Sequence, residues 1–122
     1  IDTVLQSVPL EKATRAVAVA GTATTIAAAA LGLKTYDSEV INGSSISVDT
    51  VQKTAEMLRS MTREERAALG YMHPGRVDVI GAGATIYARI MTRLCEITEG
   101  NIDSVTVSEH DILDGIALSQ VR

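Results

Sequence analysis

The sequence has no Trp and no Phe, and three Tyr are its only aromatic residues. Ala, Val, Ile and Leu must therefore fill the core, which favours helices and strands that pack closely together. The apolar share is nevertheless 46 %, which is ordinary for a globular protein and argues against disorder. The length of 122 residues leaves room for one small domain at most.

Positive charge is also scarce, because 11 Lys and Arg stand against 15 Asp and Glu, for a net charge of −4. Binding of DNA or RNA through the phosphate backbone needs clustered Lys and Arg, so no nucleic-acid partner is expected. The single cysteine, Cys95, cannot form an internal disulfide, which indicates a reducing compartment and predicts a cytoplasmic location. Cys95 lies within an apolar helical pattern, and we expect it to be a core residue.

Residues 16–33 form an uncharged stretch of eighteen residues, long enough to raise the question of a transmembrane helix. Ala, Gly and Thr dominate this stretch, and Gly21 and Thr22 divide a strand-like half from a helical half. We therefore expect neither a membrane span nor a signal peptide there.

Hydrophobic periodicity predicts strands that alternate with helices. Strands are predicted over residues 15–20 and 104–107, and helices over residues 1–8, 24–31, 49–61, 62–70, 77–98 and from 108 onward. Residues 36–47 are rich in turn formers, with Asn42 and Gly43 as the clearest turn signal. This alternation is typical of an α/β domain with parallel strands. Two strands make a thin sheet, so we expect partner strands in a longer protein of which this chain is a part.

The most promising ligand site is the junction of the first strand and the following helix, at residues 21–25 (GTATT). Gly21 would let a ligand approach the backbone, and the free N–H groups at a helix start favour anions. The hydroxyls of Thr22 and Thr24 add donors for phosphate oxygens. The structural alternative is that Gly21 forms a tight turn and one of the threonines is an N-cap.

Residues 108–111 (SEHD) follow the second strand, so they lie at the same sheet edge if the two strands are parallel. His110 and Asp111 could contact a substrate or metal, or Ser108 and Asp111 could simply cap a helix. Arg76 could bind an anion or pair locally with Asp78. Neither a nucleophile–base arrangement nor a metal-ligand pattern is present in the sequence, and His73 has no second His at ligand spacing.

Three stretches together resemble one family. They are AVAVAGTATTIAAAALGL (residues 16–33), MHPGRVDVIGAGA (residues 72–84) and VSEHDILDGIA (residues 107–117). In order and spacing they are similar to the C-terminal part of the exopolyphosphatase / guanosine pentaphosphate phosphatase (Ppx/GppA) family, especially its actinobacterial members.

The resemblance implies an actin-like ATPase (ribonuclease H-like) fold, of which residues 1–122 would form the C-terminal part of the second domain. It implies release of terminal phosphate from polyphosphate, or of the 5′ phosphate of guanosine pentaphosphate, with Mg²⁺. Gly21, Thr22 and Thr24 would correspond to the adenosine-type motif of that fold. The segments around Arg76, Asp78, Gly81 and Gly83, and around Ser108 and Gly115, also match the family.

The family's general-base Glu and its two phosphate loops have no counterpart in these residues, so the chain alone is predicted to be inactive. Partners implied are the N-terminal domain of the same protein and a second copy. Asn42-Gly43 stands where many members have His-Gly, and Leu113-Asp114-Gly115 lacks the Arg of the family's usual turn. Alternatives are a non-catalytic nucleotide- or polyphosphate-binding module, a dimerisation domain, or a sugar or acetate kinase of the same superfold.

Overall fold

The computed structural model describes residues 9–109. Its strands are β1 (Val17–Ala18), β2 (Ser45–Ser47) and β3 (Ser104–Val107). Its helices are α1 (Ala20–Ala30), α2 (Ser38–Ile41), α3 (Val48–Ser60), α4 (Arg63–Ala67) and α5 (Ile80–Ile97), and short 3-10 turns cover Leu10–Lys12 and Pro74–Arg76. The helix predicted over residues 1–8 lies outside the described residues, as does the helix predicted from residue 108 onward beyond Glu109.

The sheet has the order β1-β3-β2. Strands β1 and β3 are parallel, with Val17 opposite Thr106, which confirms the predicted pairing. Strand β2 runs antiparallel to β3 and places Ile46 opposite Val105, so the sheet is mixed. Residues 36–47, predicted to be rich in turns, therefore contain helix α2 and strand β2 as well. Two serines flank the one apolar residue of β2, so its sequence carries almost no strand signal.

Helix α1 begins at Ala20, four residues before the predicted start, so Gly21 and Thr22 belong to its first turn. Its end is as expected, because Gly32 has a φ of 69° and its N–H donates to Ala29. The N–H of Leu33 donates to Ala28, and the two bonds together form a Schellman motif. The Ala-rich stem of α1 is buried from Ala23 to Ala28.

The core is aliphatic, as the absence of Phe and Trp requires. Its largest fully buried side chains come from four helices and strand β3, and they are Ile26, Ile41, Val51, Leu58, Ile80, Val105 and Val107. Cys95 is half-buried against this core, which confirms its expected place. Among residues 9–109, no helix is both long and apolar enough to span a bilayer.

Helix α4 begins at the predicted capping box, in which Thr62 Oγ1 accepts from the N–H of Glu65 at 3.1 Å. The Glu65 carboxylate accepts from the N–H of Thr62 at 3.0 Å in return. The same helix carries Arg66, whose guanidinium donates to the carbonyls of Val77 and Met61 at 3.1 and 3.0 Å. The bond to Val77 attaches α4 to the segment that leads from Arg76 into α5.

One edge of β1 faces away from the rest of the sheet. The carbonyls of Ala16 and Ala18 accept from Thr106 and Ser108 of the β3 segment. Because polar backbone groups alternate along a strand, those of Val17 point to the opposite side, where no described strand pairs with them. The side chains of Val17 and Val19 are 55 % and 47 % exposed.

Candidate functional site: a polar pocket at the start of helix α1

A pocket of about 460 Å³ lies where β1 and β3 end and α1 begins. It is bounded by the first turn of α1 on one side and by the segment from Gly70 to Arg76 on another. Glu109, just beyond β3, closes a third side together with Tyr36. The parallel pairing of β1 and β3 therefore brings the GTATT segment and the described part of the SEHD segment, Ser108 and Glu109, to one edge, as the sequence predicted.

The first turn of α1 presents backbone donors. The N–H groups of Ala20, Gly21 and Thr22 have no carbonyl partner within the helix, and no described side chain caps it. Ala20 has a φ of 74°, in the left-handed region that a residue with a Cβ rarely adopts. This strained turn directs the start of α1 toward the pocket, and strain of this kind is typical of ligand sites.

The three threonines of the GTATT segment have different surroundings. The hydroxyls of Thr24 and Thr25 donate to the carbonyl of Gly21 at 3.2 and 2.7 Å, and both residues line the pocket. Thr22 packs instead against Gly83 of α5, since a Cβ added there would lie 3.0 Å from Thr22 Oγ1. The structure thus brings Gly21 and Thr24 to the pocket and directs the Thr22 side chain away from it, leaving only the Thr22 backbone N–H near the site.

Arg76 lies directly on Gly21. A Cβ added at Gly21 would lie 1.8 Å from Nη2 and 2.0 Å from Cζ of the Arg76 guanidinium. The local Arg76–Asp78 pair considered from the sequence is absent, because Asp78 accepts from Arg63 Nε at 2.7 Å. None of the ion pairs among residues 9–109 engages Arg76.

The half-buried guanidinium of Arg76 and the N-terminus of α1 carry the same sign of charge. Their contact is electrostatically unfavourable unless an anion lies between or beside them. A phosphate group suits both, because helix N–H groups and a planar guanidinium each donate to its oxygens. The arrangement therefore fits an anionic ligand, with Arg76 and the Gly21 backbone on the same side of it.

The pocket also contains the polar side chains of Tyr36 and Glu109, of which only Glu109 lies in a segment considered from the sequence. The Tyr36 hydroxyl donates to a carboxylate oxygen of Glu109. Burial and this hydrogen bond raise the pKa of Tyr36 above its ordinary value, so the phenol remains a neutral donor at physiological pH. The N–H of Glu109 donates to Asn42 Oδ1 at 3.0 Å, which gives a structural role to the residue standing in place of the family's usual His.

Tyr71 and His73 complete the wall beside Arg76. Burial raises the pKa of Tyr71 above its ordinary value. His73 Nδ1 accepts the N–H of Gly75 at 3.0 Å, so this nitrogen caps the turn and the opposite ring nitrogen is the one able to contact a ligand. A lone tyrosine and a loop histidine give no sequence pattern, and only their approach to Gly21 distinguishes them.

The described residues do not fit a resident magnesium site. Residues 9–109 contain no group of three or more His, Cys, Asp or Glu that could hold a metal. Within that range, the pocket has one carboxylate, Glu109, and its hydrogen bond from Tyr36 occupies one of the two oxygens. His110 and Asp111, considered as ligands from the sequence, lie outside the described residues.

Comparison with known proteins gives concordant matches. Residues 1–120 match the Ppx/GppA phosphatase family. Exopolyphosphatase 2 of Mycobacterium tuberculosis is 46 % identical over 119 residues, which are 98 % of this chain and 37 % of that protein. The crystal structure of an exopolyphosphatase-like protein superposes with a TM-score of 0.91 at 38 % identity, over 98 % of this chain and 38 % of that one.

A PPX-GPPA enzyme of Aquifex aeolicus superposes with a TM-score of 0.73 at 26 % identity, over 90 % of this chain and 38 % of that one. These structural neighbours have the actin-like ATPase fold, which confirms the predicted fold class. The chain spans 37 % of the length of the curated relatives that it matches.

Proposed function

Because this chain belongs to the Ppx/GppA phosphatase family, we propose that it forms one wall of the phosphate-binding cleft of an exopolyphosphatase. The observation that carries the proposal is the contact of Arg76 with Gly21 at the N-terminus of α1. That contact brings the positive charge of the Arg76 guanidinium next to the positive end of the α1 dipole, in a pocket large enough for a phosphate group. An anionic substrate group offsets their repulsion, in addition to the carboxylate of Glu109 that lines the same pocket.

In this proposal, water attacks the terminal phosphorus of polyphosphate and the shortened chain leaves. Arg76 and the N–H groups of Ala20 and Gly21 bind and orient the phosphoryl oxygens, and they stabilise the charge that develops on them. The general base that activates the water comes from another part of the protein, since the pocket's one described carboxylate, Glu109, is held by Tyr36. Mg²⁺, bound outside residues 9–109, would neutralise further phosphate charge.

The groove beside β1 supports the proposal that the N-terminal part of a longer protein packs against this chain. The groove has a volume of about 610 Å³ and is lined by apolar side chains of β1 and α5, including Val17, Val19 and Ile86. It adjoins the edge of β1 that no described strand covers. We propose that residues 1–122 form the C-terminal part of the second domain, with additional strands of the same chain covering this face. The complete enzyme would be a cytoplasmic homo-oligomer.

The experiment compares phosphate release from long-chain polyphosphate and from guanosine pentaphosphate by this chain and by a longer chain that contains it. Activity confined to the longer chain is expected, and the preferred substrate then defines specificity. Arg76→Ala in the longer chain should reduce kcat/KM by about 10- to 100-fold, the loss expected for a hydrogen bond to a charged group. Arg59→Ala, which removes an exposed arginine paired with Glu56 on α3, is the matched control.

Two results would overturn this proposal. Full activity of Arg76→Ala would show that the pocket does not bind the reacting phosphate. Tight polyphosphate binding without turnover by the longer chain would favour the non-catalytic binding module instead. Phosphate release by the 122-residue chain would refute the assignment of the general base to another part of the protein.

A further inference from the structure

Glu109 is an unexpected group in a pocket suited to anions. None of the ion pairs among residues 9–109 involves it. Glu109 and Arg76 line the same cavity, and both act electrostatically on the Tyr36 hydroxyl. The pocket therefore holds one anionic and one cationic side chain.

Two hydrogen bonds from one segment of chain hold Glu109 in this position. Asn42 Oδ1 fixes its backbone N–H, and the Tyr36 hydroxyl fixes its carboxylate. Tyr36 and Asn42 flank helix α2, so this short helix and its neighbouring turns act as a support for Glu109. The carboxylate is thus held at the pocket rather than free to move into solvent.

We propose that Glu109 is a specificity-determining residue that limits how much ligand charge the pocket accepts. This inference rests on the proposed function. One phosphoryl group binds at Arg76, and the remainder of a polyphosphate chain extends away from Glu109 because the carboxylate repels it. Tyr36 and Asn42 are positioning residues, since they act on the ligand through Glu109.

The test measures binding of orthophosphate and of tripolyphosphate to the 122-residue chain by calorimetry. A screened charge near the ligand alters affinity by roughly twofold per unit of ligand charge. Tripolyphosphate carries more negative charge than orthophosphate, so removal of the Glu109 charge favours it more. Glu109→Gln should therefore raise the ratio of tripolyphosphate affinity to orthophosphate affinity by about fivefold. Tyr36→Phe should raise the same ratio by less, because the carboxylate keeps its charge but loses its hydrogen bond. Glu99→Gln, an exposed position after α5, makes the same charge change elsewhere and should leave the ratio unaltered.

The ratio compares two ligands on one preparation, so partial unfolding of a variant lowers both affinities alike and leaves the ratio intact. If Glu109→Gln leaves the ratio unaltered while Arg76→Ala abolishes binding, the role of Glu109 is refuted and the proposed function is not. If Arg76→Ala leaves the binding of both anions unchanged, the proposed function is refuted. Failure of both anions to bind to either the unmodified chain or Glu109→Gln would overturn both.

Discussion

Substitution of Gly21 by alanine should lower the affinity of the pocket for phosphate without lowering the stability of helix α1. In a helix, Gly→Ala ordinarily stabilises by about 1 kcal/mol because alanine loses less backbone entropy. Here the new methyl group would lie 1.8, 2.0 and 2.1 Å from Nη2, Cζ and Nε of Arg76. The guanidinium is the far end of a flexible side chain, so it moves away while the helix backbone stays.

The expected result is therefore a protein of equal or greater stability that binds phosphate less well. Displacing Arg76 removes a hydrogen bond to a charged group, which is worth about 1.5 to 3 kcal/mol. Affinity for tripolyphosphate should fall by about 10- to 100-fold. Thermal unfolding and a calorimetric titration on the same samples measure the two quantities.

A double-mutant cycle identifies Arg76 as the cause. If Gly21 acts through Arg76, adding Gly21→Ala to Arg76→Ala should cause no further loss of affinity. Gly83→Ala is the matched control, since its new methyl group would contact Thr22 and not the pocket. The proposed contact is refuted as the basis of binding if Gly21→Ala leaves the affinity unchanged. It is refuted equally if the loss of affinity in the double variant is the sum of the losses in the two single variants.

Two further predictions concern stability. Thr62→Ala should lower the free energy of unfolding by about 1 kcal/mol through loss of the α4 capping box. The Thr62 N–H and, to a smaller extent, the Thr62 side chain lower the pKa of Glu65. Thr62→Ala keeps the N–H and removes the side chain, so the difference in stability should diminish only in part on acidification through that pKa, measured by urea unfolding at several pH values. Burial raises the pKa of Tyr87 to about 12, so its neutral form stabilises the fold below pH 10 and this contribution disappears as the pH rises from 10 to 12. Tyr87→Phe should abolish that alkaline loss in thermal unfolding without destabilising the protein at neutral pH, because no described group pairs with the buried hydroxyl.

Local sequence patterns predicted the features that depend on only a few neighbouring residues. The capping box at Thr62, the αL glycine at Gly32 and the alternating polar and apolar residues of β3 each have a physical cause confined to a few neighbours. The start of α1 was misplaced because Ala20 adopts a φ of 74°, a conformation that its sequence does not indicate. Strand β2 was missed because its pairing with β3, rather than its own composition, creates it.

The candidate site was predictable only where it depends on the order of strands. Parallel pairing of β1 and β3 was sufficient to bring Gly21 and Glu109 to one edge of the sheet. The place of Arg76 in the pocket could not be separated from a local pair with Asp78, because the partner of Asp78 is Arg63 on α4, fifteen residues away in the sequence. The bond from Tyr36 to Glu109 likewise joins two residues that no local pattern relates.

Glycines determine how closely the walls of the pocket approach helix α1. At Gly70, an added Cβ would lie 1.9 Å from the carbonyl oxygen of Lys34, a backbone atom that cannot move aside as a side chain does. That approach brings the segment containing Tyr71 and Arg76 against the loop that follows α1. At Gly21 the space of the missing side chain is filled by the Arg76 guanidinium instead. Gly70 thus places the backbone that carries Arg76, and Gly21 lets the Arg76 guanidinium lie against the N-terminus of α1, so the shape of the pocket depends on both glycines.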